Sequence, residues 1–285
     1  MENRPLVSVI IPTYNRQKYI ALAISSVLEQ TYKNIEIIVI DDFSNDKSLE
    51  IISEIVKENG NIYLYKNEKN LGFVKSLNKG VSLAKGKYIA RLDDDDVWCD
   101  VRKLEKQVDF LEKHKDYVLV GGGVIKINKD GSEMVRFSVP EEDKDIRKVI
   151  LVNNVFAHSA VIFKRDDFMK VGGYDEQFGF FADWALWLAL GKIGKFYNFQ
   201  EFFIHYLDQE DNRLNSTRDR QIRRRLLAKV KLNNKYKRYY NGSIKAILHS
   251  FASYVYSFIP LRKKLWPIIF KIRSFFFGHP PYKYF

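Results

Sequence analysis

The 285-residue chain has one cysteine, Cys99, so no disulfide can form within it, which fits a reducing compartment. Acidic neighbours disfavour a thiolate there, so Cys99 reads as packing and not as a nucleophile. No uncharged apolar run reaches the ~18–20 residues that a membrane-spanning helix needs. The longest candidate, Ile244–Ile259, is interrupted by Lys245 and His249 and closed by Pro260. The first apolar stretch, Val7–Ile11, is short and stops at Pro12, so it is expected to be a strand and not a secretory signal. The loop after it, Pro12–Arg16, has no glycine and so lacks the glycine-rich cradle of a phosphate-wrapping loop. Internal repeats and low-complexity linkers are also missing.

What is present describes a globular protein: 46% apolar residues, 15% of all residues being aromatic. Charge is unevenly placed. From Arg213 onward 18 Lys/Arg face a single acid, Asp219, so that segment carries +17; with +12 on the whole chain, residues 1–212 carry −5. An acidic front domain, 1–212, is therefore expected to precede a basic, aromatic-rich helical extension, 213–285, with different partners.

The front domain is organised around Tyr88–Trp98, where an apolar run stops abruptly in Asp93, Asp94, Asp95 and Asp96. Four adjacent like charges repel, and capping the next helix needs only one or two of them. Hard divalent cations do want such oxygens, and they share them with substrate phosphates. The plainer alternative is a solvated acidic loop.

Elsewhere, strand and helix patterns alternate. Strands are expected at residues 6–12, 35–40, 61–65 and 87–92, and helices follow the first three. This alternation predicts an α/β fold with a mostly parallel sheet, in which ligands bind beyond the carboxyl ends of the strands. Tyr14, Asp42 and Asp93–Asp96 all fall at such ends. Further on, the pattern predicts a helix over 102–114, a hairpin over 118–139, and a short helix over 146–152. A buried strand over 157–163, a loop at 171–175, an apolar helix over 183–190 and an aromatic strand over 196–206 complete it. A basic helix is expected over 218–231.

In this order, the segments Val7-Ser8-Val9-Ile10-Ile11-Pro12-Thr13-Tyr14-Asn15, Gln30-Thr31-Tyr32, Ile40-Asp41-Asp42, Asn70-Leu71-Gly72, Asn78-Lys79-Gly80, Leu92–Asp96, Gly172-Gly173-Tyr174-Asp175 and Asp183-Trp184 resemble the family 2 glycosyltransferases. The likeness runs over roughly residues 6–210. It implies a GT-A fold, a Rossmann-like sheet with helices on both faces, and an inverting, metal-dependent enzyme using a nucleotide sugar, here a UDP-sugar. It also implies roles for residues. Pro12, Thr13, Tyr14 and Asp42 sit where the family holds base and ribose, with Asp93 and Asp94 beside them. Asp93 and Asp95 match the family's Asp-x-Asp acids, with Asp95 the direct ligand of Mg²⁺ or Mn²⁺. Asp183 matches the general base, although taken alone it reads as a helix cap. His205 lies where related enzymes face the diphosphate, whereas His158 reads as a hydrogen-bonded core residue. Two positions depart from the family: Ala182 stands where Glu is usual, and Leu77 where Arg is common, with Lys75 a turn away as a substitute.

The extension interleaves Arg262, Lys263 and Lys264 with Trp266, Phe270 and Phe275–Phe277. That composition suits an anionic membrane surface. The expectation is a peripheral protein on the cytoplasmic face, acting on a saccharide or lipid-linked saccharide, with no nucleic-acid partner. Packing within the protein or in a dimer is the bland alternative for this segment. The competing functions are a non-catalytic sugar-nucleotide-binding protein of the same fold and a nucleotidyltransferase.

Overall fold

A computed structural model describes residues 4–128, 130–207, 219–240, 244, 246–248, 250 and 251. The chain divides into two compact units, one of residues 1–141 and 156–208, the other of residues 142–155 and 209–285.

The first unit is built on one sheet. Its elements begin with β1 (Val7–Thr13), α1 (Ile20–Leu28), β2 (Ile35–Asp41), α2 (Ser48–Glu58), β3 (Ile62–Lys66), α3 (Phe73–Leu83) and β4 (Tyr88–Arg91). Next come β5 (Asp96–Trp98), α4 (Lys103–Lys113), β6 (Tyr117–Ile127) and β7 (Glu133–Phe137). After α5 (Asp143–Val149) of the second unit, the first unit resumes with β8 (Ile162–Lys164), α6 (Arg165–Val171), α7 (Ala182–Leu190) and β9 (Lys195–Leu207). The strand order is β3-β2-β1-β4-β8-β6-β9-β5, with β7 on β6. The expected α/β class holds: β3, β2, β1 and β4 are parallel. Beyond β4 the sheet is mixed, since β8 runs antiparallel to both β4 and β6 while β9 is parallel to β6.

Every residue of β1 and β2 is buried, as a parallel sheet covered on both faces requires. Helix α3 lies so close that a Cβ on Gly80 would stand 2.5 Å from Ile10 Cγ2. That approach is the physical reason for a glycine at this position.

Three local differences from the sequence expectations stand out. Residues 158–160 form a 3-10 turn before β8, where a continuous strand was expected, because Ser159 turns its side chain onto the acidic cluster. Helix α6 occupies 165–171, ahead of the expected loop, and ends at Gly172 with φ 87°, a left-handed cap that favours glycine. The short strand β5 emerges directly from the acidic run and pairs with β9.

In the second unit α5 begins at Asp143, three residues before its expected start, and α8 spans Asp219–Tyr236. Arg147 pairs with Asp143 at 2.7 Å and lies over the Tyr240 ring, while Asn233 on α8 donates to Ser250 Oγ at 2.7 Å. No helix among the described residues is long and apolar enough to cross a membrane. The apolar run 252–259 and the aromatic-basic run 261–285 lie outside the described residues.

Candidate active site

Strand β1 pairs with β2 on one side and β4 on the other, so strand order reverses between β1 and β4. A crevice at such a reversal is where open α/β sheets bind ligands. The carboxyl ends of β1 and β4 both open there, and Leu92 N–H donates to Ile10 O at 3.2 Å across them.

The loop after β1 is held by the loop after β2. Asn15 N–H donates to Ser44 Oγ (3.0 Å), Arg16 N–H to Ser48 Oγ (2.8 Å) and Gln17 N–H to Asp46 Oδ2 (3.1 Å). In return Asn15 Oδ1 accepts from Asn45 N–H at 2.7 Å, with Asn15 in the left-handed region at φ 55°. Ser44, Asn45 and Asp46 thus fix the loop Pro12–Arg16. Pro12 and Thr13 are buried and Tyr14 is half-buried.

Asp42 is buried, and its carboxylate is already occupied on both oxygens. Oδ1 accepts from Leu71 N–H and Asn67 Nδ2, each at 2.8 Å, and Oδ2 accepts from Gly72 N–H at 2.9 Å. Three of about four lone-pair sites are therefore used to shape the loop 70–72. Asn67 also receives Lys79 Nζ at 2.6 Å, tying this network to α3.

The four acids differ sharply from one another. Asp93 receives the Arg91 guanidinium, and its own N–H donates to Ser159 Oγ at 3.0 Å. Burial alone raises the Asp93 carboxyl, but Arg91, with His158 and Ser159, holds it below the usual carboxylate range. Asp94 accepts from Tyr14 N–H at 3.2 Å and from Arg16 Nε at 3.3 Å. Burial and the neighbouring Asp95 push it up to about 7. Asp95 pairs with Arg16 Nη2 at 3.1 Å, and burial with the charge of Asp93 raises its carboxyl. Asp96 is buried against Ser159 and is raised well above its ordinary value, by burial and by Asp93 and Asp95.

Two arginines therefore oppose four carboxylates, and three of the four are pushed toward protonation. A cluster short of positive charge fits a bound cation. No three acid, histidine or cysteine side chains converge as a metal cage among the described residues. An ion here would take one or two carboxylates and complete its shell from water and phosphate, the usual habit of Mg²⁺.

Asp183 is in the first turn of α7, one residue after its start at Ala182, and is half-buried. Tyr174, buried, lies in the field of Arg91, Asp183 and Asp93 together, which brings Asp183 to the same neighbourhood as the acidic cluster. Its hydroxyl meets His158 Nε2 at 2.8 Å, so His158 is hydrogen-bonded as expected. Asn78 grips the Tyr174 backbone from both sides, donating to its carbonyl at 2.9 Å and accepting from its N–H at 3.0 Å. Gly173 eases this, with φ 72° in the left-handed region and a tight 3.0 Å from the place of a Cβ to Asn78 Oδ1.

His205 sits elsewhere. It is paired with Val97, between Asp96↔Tyr206 and Trp98↔Ile204. Alternation along a strand therefore turns it to the face opposite Asp96, where Glu133 is the charge it feels. Lys75 is exposed and 3.8 Å from Glu176, while Leu77 is core. The positive charge at the acids comes from Arg16 and Arg91, which the sequence expectations passed over. Arg91 had a visible signal, a charge inside an apolar strand. Ser159 had none.

Residues 8–172 match the profile of "Glycosyl transferase family 2", more than half of the chain. The putative glycosyltransferase EpsE of Bacillus subtilis is 35% identical over 217 residues, covering 74% of this chain and 76% of its own. An uncharacterised glycosyltransferase of Methanocaldococcus jannaschii is 34% identical over 226 residues, 77% of each chain. Among solved structures, TarS 1–349 of S. aureus in complex with UDP-GlcNAc superposes with a TM-score of 0.68 at 15% identity, covering 95% of this chain and 80% of that one. The mannosyltransferase PcManGT from Pyrobaculum calidifontis, in complex with GDP-Man and Mn²⁺, gives 0.62 at 18% identity, covering 98% and 78%. With this fold and these matches, the chain belongs to glycosyltransferase family 2.

Proposed function

We propose that the chain moves a sugar from a UDP-sugar to a saccharide or lipid-linked saccharide acceptor, with inversion at the anomeric carbon, in cell-surface polysaccharide synthesis. The observation that carries this is the union of the β1 and β4 ends, where Tyr14 N–H binds Asp94 and Asp95 stands partly open beside it. The amylovoran biosynthesis glycosyltransferase AmsE of Erwinia amylovora, 30% identical over 191 residues, supports the polysaccharide setting.

In this scheme Pro12, Thr13 and Tyr14 line the nucleoside, and Asp42 acts through its remaining lone pair and through the loop it shapes. Asp95, with Asp93, holds Mg²⁺ or Mn²⁺, and Asp94 orients Tyr14 and Arg16. An ion held there would supply Lewis-acid neutralisation of the charge on the leaving diphosphate. Asp183 accepts the proton of the acceptor hydroxyl as the new bond forms. Attack from the face opposite the leaving group in a single displacement inverts the centre. The division into a catalytic domain, 1–212, and a membrane-associating extension, 213–285, belongs to the same scheme. It puts the enzyme on the cytoplasmic face of an anionic membrane, with no nucleic-acid partner, and is supported by the +17 charge of that extension.

Calorimetry with UDP, GDP and ADP, each with and without Mn²⁺, tests the donor assignment. UDP binding that needs Mn²⁺ supports it. Equal binding of all three nucleotides, or of none, refutes it.

A further inference from the structure

Arg16 occupies a peculiar position. Its backbone is fixed, with its N–H on Ser48 Oγ and both neighbouring N–H groups bound to the loop after β2. Its side chain crosses the crevice to the acids, with Nη2 3.1 Å from Asp95 Oδ2 and Nε 3.3 Å from Asp94 Oδ1. The Arg16 side chain is 23% exposed and that of Asp95 24%, so this pair lies at the mouth of the site and not under it. Arg91, the other cation, is 1% exposed and committed to Asp93. Of the two, only Arg16 faces the side from which a ligand arrives.

A metal ligated by Asp95 would share that carboxylate with a guanidinium one hydrogen bond away. Both cations cannot be held there without strong repulsion between them. A swing of the Arg16 side chain away from Asp95, about its fixed backbone, relieves that repulsion. In a free protein that swing strips Arg16 of charged partners, whereas an arriving diphosphate offers paired anionic oxygens that a guanidinium can grip bidentately.

We infer that Arg16 is a place-holding cation. It neutralises Asp95 and Asp94 before a donor arrives, opposes metal binding by the free protein, and transfers to the donor's diphosphate when that enters, so that metal and nucleotide bind with strong positive coupling. Arg16 thereby becomes a positioning residue for the metal ligand and a binding residue for the leaving group. The inference rests on the metal assignment proposed above and says in addition why the ion is taken up with its nucleotide.

The test is Mn²⁺ affinity, measured by electron paramagnetic resonance without nucleotide and with saturating UDP. The proteins compared are wild type, Arg16→Gln and Arg16→Lys, each checked for folding by circular dichroism. A neighbouring cation weakens a carboxylate's hold on a proton by about 1–3 pKa units, ~10- to 1,000-fold, and the same field acts on a metal. Arg16→Gln is therefore expected to bind nucleotide-free Mn²⁺ at least about tenfold more tightly, and to gain less from UDP than wild type does. Arg16→Lys, which keeps the charge, is expected to stay near wild type. Simple damage to the loop would weaken binding and not tighten it. Nucleotide-free affinity in Arg16→Gln equal to or below wild type, with UDP still promoting Mn²⁺ binding to wild type, overturns the place-holder and leaves the metal site standing. No Mn²⁺ binding to any of the three proteins, with or without UDP, overturns both.

Discussion

Arg91 donates to Asp93 from within the sheet: its side chain is 1% exposed, while the carboxylate it holds emerges at the mouth of the crevice. Phe73 lies over the same guanidinium at 5.1 Å, so the cation is covered by a ring and secured by an acid. Removing one partner of a fully buried pair costs about 3–5 kcal/mol. Asp93 keeps 31% of its side-chain exposure, which reduces the expected cost of Arg91→Met to about 2–3 kcal/mol. Urea denaturation of the purified protein measures it.

Asp94 makes the stability of the metal-free protein depend on pH. Its carboxyl is pushed up to about 7 by burial and by Asp95, against about 3.9 in an unfolded chain. Between those values the folded state holds a proton that the unfolded state has lost, so stability falls as pH rises through that window. Thermal melts without metal are expected to give a lower Tm at pH 7.5 than at pH 5.5. Asp94→Asn is expected to flatten that slope.

Asp42 is expected to matter first for the shape of the loop 70–72. A hydrogen bond to a charged group contributes about 1.5–3 kcal/mol, and Asp42 accepts three in a buried setting. Asp42→Ala is expected to destabilise the fold by about 3 kcal/mol or more. UDP affinity should weaken with it. Denaturation and calorimetry on the same sample report both effects.

Asp183→Asn removes the proposed proton acceptor with little change of shape. A positioned general base contributes about 10²–10⁴-fold, so kcat for transfer is expected to fall by that much with the donor's affinity unchanged. Steady-state kinetics beside UDP-sugar binding separates the two quantities. A loss of donor affinity matching the loss of kcat would count against the role.

Much of this architecture could be read from residue patterns. The apolar runs that became β1 and β2 and the punctuation by Gly72 and Gly172 come from local chemistry, which a linear pattern carries. So do the acids at strand ends. The motif Asn78-Lys79-Gly80 was visible, but its work was not. That Asn78 clamps Tyr174 and Gly80 admits Ile10 depends on contacts between segments far apart in sequence. Ser159 on Asp93, and Arg16 on Asp94 and Asp95, are hidden for the same reason. Helix α6 escaped because seven residues, Arg165–Val171, carry too little periodicity to distinguish a helix from a loop.

The central claim is that Asp95 makes sugar transfer depend on a divalent ion. It is tested most directly by the rate of UDP release from a UDP-sugar in Mn²⁺ and in excess EDTA, for wild type and Asp95→Ala. The account expects wild-type turnover that EDTA abolishes and added Mn²⁺ restores, and an Asp95→Ala protein that binds Mn²⁺ weakly and stays inactive in both conditions. Full wild-type turnover in EDTA, or full turnover by Asp95→Ala, would contradict it.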